Sequence, residues 1–289
     1  MPIQCISKYQ GIKNILKTIS QIISVLLPVI YLLVVFLNAY IFFGRNKKFE
    51  IWVPLMIILL IVIHATHIIL RGLAIEMIPL VTKLDALSFL AFAIVALILV
   101  IELTSKNKTT IFFAVFLSFI IQTISSIFYS WNITPHPLLE NPIFALHVVL
   151  TVLGYSAISV SALYALLYIM LNHNIKYHRL GIIYEKLPPL RNLERLSIRS
   201  IQIGIITLGL GIFIGHLQAN QMLGTYWPMD PKVIYNNIIW FAYFLGLMIA
   251  QIYKWRGRWM AYIAMLGFGI LIFANIMIIF IENTFHQFP

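Results

Sequence analysis

The sequence predicts an all-α protein: a polytopic membrane helix bundle with about eight transmembrane helices and an N-terminal amphipathic helix. Hydrophobic residues make up 61% of the chain and charged residues only 10%. The mean hydropathy is +0.95, and a soluble globular domain does not carry so apolar a composition. Apolar runs recur along the chain, each close to the roughly 20 residues that a helix needs to cross the hydrocarbon of a bilayer.

The first predicted element is an amphipathic helix over residues 3–21. Its apolar and basic side chains recur at helical spacing, a pattern typical of a helix that lies in the membrane interface. These side chains are Ile12, Ile15, Leu16 and Ile19 beside Lys8, Lys13 and Lys17. We therefore expect residues 1–21 to form an interfacial segment and residues 22–289 to form a single transmembrane domain.

Eight apolar runs follow, and each predicts one transmembrane helix. They cover residues 22–43, 51–70, 86–104, 111–130, 144–171, 198–217, 233–253 and 259–281. The fifth run is longer than a bilayer requires, so we expect its helix to tilt or to project from the membrane.

Basic residues gather in the connections that follow the first, third, fifth and seventh runs. Because arginine and lysine accumulate in loops that stay in the cytoplasm, we place these connections inside. The basic N-terminal segment conflicts with this orientation, but the loops outweigh it. Both termini then lie outside, together with residues 131–143. We expect a multi-pass protein of the bacterial inner (cytoplasmic) membrane.

Net charge and cysteine content exclude several classes of function. The formal net charge of +11 would suggest nucleic acid in a soluble protein, but here the basic residues mark the cytoplasmic loops, and no nucleic acid is expected. The single cysteine, Cys5, excludes an internal disulfide, a Cys-based zinc or iron–sulfur site and a CxxC redox centre.

Histidines within or beside the apolar runs are candidate ligands, because an imidazole in hydrocarbon is costly. His64 and His67 lie three residues apart on the second run and share a helix face. His147 begins the fifth run, His216 ends the sixth, and His286 follows the eighth. With the orientation above, these last three histidines lie at the outer membrane surface.

Three interpretations of these histidines stay open at this point. Neutral imidazoles from two helices can ligate a haem iron from both faces. Intramembrane histidines also commonly form only a hydrogen bond to a neighbouring helix. Zinc is less well supported, because the sequence contains no HExxH motif or comparable spacing.

The segment Gly215–Tyr243, which we call the outer cap, joins the sixth and seventh runs and combines turn-forming residues with large aromatics. Such a mixture suits a structured cap at the bilayer surface. We expect the outer cap to form a platform for a flat, apolar molecule with polar edges.

The outer cap carries a recognisable pattern over Gly215 to Trp240. Its core is Tyr226, Trp227, Asp230, Pro231 and Lys232, and its frame is Gly215, Ala219, Asn220 and Gly224. This pattern resembles the tryptophan-rich WWD motif of the cytochrome c assembly family of haem-handling membrane proteins, which are CcsA/CcmC-like. The segments LHVVLTVLGYSAI around His147 and HATHIIL around His64 are similar to histidine-bearing helices of that family.

Further segments extend the resemblance over most of the chain from the second run onward. His286 follows the final run, where the family has its second external histidine. LPPLRNLER at 187–195 and WRGRW at 255–259 resemble the short YpjD/HemX-like branch.

The resemblance implies an eight-helix bundle whose outer loop presents haem as cofactor or cargo. By it, His147 and His286 would ligate the haem iron at the outer site, and His64 would do so within the membrane. Tyr226, Trp227 and Asp230 would then line the haem platform. Lys232 would meet a propionate, since indole and phenol rings pack on a porphyrin face and a basic group pairs with its carboxylates.

The sequence also departs from the family pattern. Gln218, Leu223 and Met229 replace its usual tryptophans, and Met248 stands about where larger members carry a second intramembrane histidine. His216 occupies a position that is normally small, so it is a candidate substitute ligand.

We therefore expect an inner-membrane protein that binds or passes haem at its outer face in cytochrome c assembly or haem handling, and not an enzyme. Its expected partners are the lipid bilayer, haem, and other cytochrome c assembly or haem-biosynthesis proteins. The alternative is a HemX-like non-catalytic scaffold or regulator of tetrapyrrole metabolism, with the basic connection at 172–199 as its contact surface. A small-molecule transporter has less support, because paired intramembrane charges are not evident.

Overall fold

A computed structural model describes residues 2–44, 47–105, 109–129, 141–179 and 181–279. All regular structure in this described part is helical, with a 3₁₀ helix over Lys47–Trp52. The α-helices are α1 Pro2–Phe43, α2 Val53–Ile75, α3 Lys83–Ser105, α4 Ile111–Ile127, α5 Pro142–Lys176, α6 Ile182–Lys186, α7 Leu190–Leu223, α8 Pro231–Ile252 and α9 Arg258–Ile279.

The predicted all-α, multi-pass membrane bundle is confirmed. Within the described residues, six helices are long and apolar enough to cross a membrane, namely α1, α2, α3, α5, α7 and α8. Helices α4 and α9 are apolar over shorter lengths. Each of the eight predicted runs therefore coincides with one helix. The amphipathic segment and the first run form one continuous helix, α1, which continues through Pro28.

The chain divides into two compact units. The first contains Met1–Val100 and Ile111–Ala145, and the second contains Ile101–Thr110 and Leu146–Gln287, as far as the described residues extend.

Helices α1, α2, α3 and α4 build the core of the first unit, where Tyr31, Ile57 and Val115 are among the fully buried side chains. Large apolar side chains occur on every side of helix α2, so hydrophobicity alone does not choose which side turns inward. Its buried face instead carries His64, His67 and Arg71. Polar side chains avoid lipid because hydrocarbon offers them no hydrogen-bond partner, and they orient this helix.

Small residues allow close contact between α5 and α7 in the second unit. A Cβ atom at Gly154 would lie 2.7 Å from Cβ of Leu208, and one at Gly204 would lie 2.8 Å from Cγ1 of Ile158. Inside a bilayer the hydrophobic effect does not drive helices together, because lipid tails are as apolar as the side chains. Membrane helices therefore associate through close packing at small-residue surfaces such as this one. This contact holds the N-terminal half of α5 against the middle of α7.

Two helix ends define the loop between α7 and α8. Helix α7 stops at Gly224, which adopts the left-handed conformation (φ 69°) and donates its N–H to the carbonyl of Asn220. Helix α8 starts after Asp230, whose carboxylate accepts the N–H groups of Lys232 and Val233, and Pro231 follows at the first helical position. These two caps fix a short connection at the centre of the outer cap.

Candidate functional site

His147 lies in the first turns of α5 and is held by α7. Its Nδ1 lies 2.6 Å from the carbonyl oxygen of Gly211. Because a carbonyl only accepts, Nδ1 carries the proton and donates, and the lone pair of the neutral imidazole is on Nε2. Metal-ligating histidines typically donate their other ring N–H to a backbone carbonyl in this way. The geometry therefore sets His147 in the tautomer that an Nε2 ligand requires.

The imidazole of His147 packs directly on the backbone of α7. A Cβ atom at Gly215 would lie 2.7 Å from Cε1 and 2.8 Å from Nδ1 of His147, closer than real Cβ contacts allow. Gly215, a frame residue of the motif, thus leaves the space that the ring of His147 occupies.

His216 ties the end of α7 to the loop and to α8. Its Nδ1 lies 2.6 Å from the carbonyl oxygen of Tyr226, and its Nε2 lies 3.2 Å from Oδ1 of Asn237. The amide of Asn237 is oriented because Nδ2 donates to the carbonyl of Val233 at 2.8 Å. Both nitrogens of His216 therefore face oxygen atoms, one on the loop and one on α8.

The aromatic core of the outer cap is largely exposed. The ring of Trp227 lies 4.4 Å, centroid to centroid, from that of His216, yet 65% of Trp227 is accessible, as is 51% of Tyr226. Met229 is 87% exposed. The loop thus presents aromatic surface outward instead of using it for packing.

Asp230 is buried and serves as the N-cap of α8. Its Oδ1 accepts the backbone N–H of Lys232 at 2.8 Å and that of Val233 at 3.3 Å. This carboxylate shapes the loop from within, while Trp227 and Tyr226 form its surface. Lys232 and His216 both lie within electrostatic range of His147. The second unit therefore brings together six of the predicted site residues: His147, His216, Tyr226, Trp227, Asp230 and Lys232.

His64 lies in the first unit and is fully buried. Its Nε2 is 3.0 Å from Oγ of Ser88, and Ser88 donates its own proton to Oε1 of Gln122 at 2.9 Å. Ser88 therefore accepts from His64, and Nδ1 of His64 accepts the hydroxyl of Tyr31 at 2.9 Å. Both ring nitrogens are engaged, so iron coordination by His64 requires Tyr31 or Ser88 to release its bond.

The series of hydrogen bonds that begins at Tyr31 on α1 continues beyond Gln122 and returns to α1. Nε2 of Gln122 donates to Oγ of Ser126 at 3.0 Å, and Ser126 donates to the carbonyl of Ser24 on α1 at 2.9 Å. We call the side chains Tyr31, His64, Ser88, Gln122 and Ser126 the polar belt. It joins all four helices of the first unit, and sequence reasoning identified only His64 among its members.

A buried ion pair lies on the same helix face as the histidines. Nε of Arg71 is 3.3 Å from Oδ1 of Asp85, its terminal nitrogen is 3.4 Å from Oδ2, and its guanidinium lies 4.6 Å from the ring centroid of Tyr129. The spacing of His64, His67 and Arg71 puts all three on one face of α2, and this face is buried. His286, the second predicted outer ligand, lies outside the described residues.

Fold and site together define a polytopic helical membrane protein with a histidine-bearing outer cap. The cytochrome c assembly protein family matches residues 80–286. The chain belongs to this family, and the resemblance predicted from the outer cap is confirmed at that level.

Curated relatives of the chain are cytochrome c biogenesis proteins CcsA. The protein of Prochlorococcus marinus subsp. pastoris is 26% identical over 271 residues, which cover 84% of this chain and 85% of the relative. That of Guillardia theta is 30% identical over 168 residues, which cover 53% and 56% respectively. That of Chlamydomonas reinhardtii is 27% identical over 152 residues, covering 53% and 42%. The chain thus spans about half the length of the last two relatives.

Proposed function

We propose that this protein binds or passes haem at the outer face of the bacterial inner membrane, as an assembly factor in cytochrome c assembly or haem handling and not as an enzyme. One observation carries the proposal. The tautomer of His147 is fixed by its bond to Gly211, at the same end of the second unit as the exposed rings of Trp227 and Tyr226. The family to which the chain belongs supports the same reading.

The donor set around His147 fits haem. An imidazole with its lone pair on Nε2 is a common axial ligand, and an indole and a phenol offer apolar surface for a porphyrin face. Lys232 lies within electrostatic range of His147 and would pair with a propionate. Bound there, haem would supply an iron centre whose ligands set its absorption spectrum.

His286, which the sequence places after the last apolar run, would hold the haem iron together with His147. His216 is the local competitor for this role. Its nitrogens already face Tyr226 and Asn237, so ligation by His216 would cost the contact that ties the loop to α8.

The deciding experiment is the absorption spectrum of the intact protein, purified in detergent from haem-replete cells. We expect bound haem with a bis-histidine spectrum, and we expect the double substitution His147→Ala, His286→Ala to abolish it. His173→Ala is the matched control, because this histidine is exposed in another part of the second unit and contacts only the ring of Tyr177 among the described aromatic side chains.

Two results would overturn the proposal in different ways. A haem-free preparation that cannot be reconstituted would remove haem from the function. A bis-histidine spectrum that survives the double substitution would move the site to other residues, and His216→Ala would then test the competitor directly.

A further inference from the structure

Four arginines surround one cleft in the second unit, far along α7 from the outer cap. The cleft has a volume of about 450 Å³, and its lining includes Arg191, Arg195, Arg199 and Arg256. The first three recur at intervals of four residues and therefore share one face of α7, while Arg256 comes from the connection between α8 and α9. We call this feature the arginine cleft.

Among the residues that the structure describes, the lining of the arginine cleft has an excess of positive charge, with four arginines against a single carboxylate. No carboxylate among those residues lies within ion-pair distance of the four guanidinium groups. The one carboxylate in the lining, Glu194, accepts the backbone N–H of Gly257 at 2.8 Å. Like charges four residues apart on a helix repel each other, so an anion in the cleft would relieve a cost that the folded chain carries.

The cleft is built by specific contacts and is not a random gathering of surface charge. The bond from Gly257 to Glu194 holds the α8–α9 connection against α7, which places Arg256 beside the arginines of α7. Gly257 adopts a left-handed conformation (φ 65°). A Cβ atom there would lie 2.8 Å from the hydroxyl oxygen of Tyr168, so glycine suits this position in both backbone conformation and space.

An apolar groove adjoins the arginine cleft. It has a volume of about 220 Å³ and is lined in part by Leu247, Trp255 and Met260. The two cavities share Ile198, Gln202 and Arg256 in their linings. A ligand with an anionic head and an apolar chain would therefore fill both.

We propose that the arginine cleft and its groove bind an anionic glycerophospholipid of the membrane. The phosphate and its headgroup lie among the guanidinium groups, which match phosphate oxygens bidentately, and the proximal acyl chain lies in the groove. Basic pockets between transmembrane helices are typical lipid headgroup sites. The charge distribution of the loops predicts that this end of the protein faces the cytoplasmic leaflet. A phospholipid fits better than an acidic protein segment, because the groove continues the cleft with apolar lining.

The proposal is tested by native mass spectrometry of the full-length protein in detergent with added phosphatidylglycerol or phosphatidylcholine. We expect the anionic lipid to bind and the zwitterionic lipid to bind much more weakly. The variant R195Q/R199Q should bind phosphatidylglycerol at least about tenfold more weakly, since each charge-assisted contact is worth roughly that factor. R195K/R199K keeps the charge and should recover part of the affinity. R179Q is the matched control, an exposed arginine outside the cleft, and should bind as the unaltered protein does.

Several outcomes would overturn the proposal. Equal binding of phosphatidylglycerol by R195Q/R199Q and R179Q would show that the cleft is not the site. Inorganic phosphate that displaces the lipid at similar concentration would show that the groove contributes nothing and that a free anion is the ligand. A third outcome is that haem competes with the lipid and that haem binding is lost in R195Q/R199Q but kept in H147A/H286A. That pair of results would show that the cleft binds the carboxylates of a tetrapyrrole. Equal helical circular dichroism in every variant is required, and R256Q provides an independent substitution outside α7.

Discussion

The Nδ1–H of His147 donates to the carbonyl oxygen of Gly211 across the contact between α5 and α7, at 2.6 Å. This bond connects the packing of the second unit to the position of an imidazole beside the loop between α7 and α8. The same small-residue surface that lets two membrane helices approach closely also orients an imidazole. Changes in helix packing should therefore alter haem binding without touching a ligand.

The substitution Gly215→Ala tests this connection. The added Cβ atom would lie 2.7 Å from Cε1 of His147, so either the ring or the helix must shift, at a cost of about 1–3 kcal/mol. We expect a lower melting temperature and a loss of bound haem, measured by thermal unfolding in detergent and by absorption. Gly246→Ala is the control. A Cβ atom at Gly246 meets nothing within 4 Å, and alanine is the better helix former, so this variant should keep its haem. Full haem retention in G215A would contradict the assignment of His147.

Trp227→Ala separates surface function from stability. Because Trp227 is 65% exposed, its removal should change the melting temperature little while haem binding weakens several-fold through lost stacking area. Trp259→Ala is the comparison, since this tryptophan is 60% exposed and lies outside the outer cap. Haem titration of both purified variants provides the measurement. Identical affinities would argue that the aromatic surface of the outer cap is not a porphyrin platform.

Asp230 should act through the loop and not through the ligand. Replacement by alanine removes an N-cap and should cost about 1 kcal/mol, whereas Asp230→Asn keeps a capping side chain and should regain most of that stability. Haem content should follow stability across the two variants. A stable but haem-free D230N protein would show instead that the carboxylate charge itself is needed, and the comparison requires only melting curves and spectra.

The polar belt makes a prediction for the first unit. Tyr31→Phe leaves Nδ1 of His64 buried without its donor, and an orphaned buried acceptor costs about 1–3 kcal/mol. Thermal unfolding should show this loss. Tyr40→Phe is the control, because Tyr40 is 65% exposed, and its variant should unfold like the unaltered protein. Equal melting temperatures for the two variants would mean that the bond from Tyr31 contributes nothing measurable.

The helical framework was predictable because hydropathy is a local property. Each apolar run carries its own signal, and all eight coincide with helices of the described chain. The continuity of α1 was harder to foresee. The sequence has no helix-breaking residue at the boundary between the amphipathic segment and the first run. The next proline, Pro28, lies within the first run, and the helix continues through it.

The motif predicted which residues would lie near one another in the second unit, but it did not predict their contacts. The family resemblance predicted that His147, Trp227 and Lys232 belong to one site. In the structure they lie at the same end of the second unit. Their hydrogen-bond partners carry no sequence signal, since His147 and His216 bond to the backbone carbonyls of Gly211 and Tyr226. A carbonyl is present at every position, and only the three-dimensional register of α5, α7 and the loop selects one.

The contacts of His64 were unpredictable for a different reason. Its partners are the side chains of Tyr31, Ser88 and Gln122, which come from three other helices. The rotational setting of each helix decides whether such residues meet, and one sequence does not reveal it. The family resemblance supplied a ligand role for His64, whereas the described structure shows how the same ring satisfies buried polar groups.

Every hydroxyl and amide in the polar belt donates in one direction around the four helices, from Tyr31 to the carbonyl of Ser24. Reversing one member would set two donors or two acceptors against each other at the next contact. Substitutions at the five positions of the polar belt therefore depend on one another. A change at Gln122 would be tolerated only alongside changes at Ser88 and Ser126, so in homologous sequences these positions should vary together or not at all.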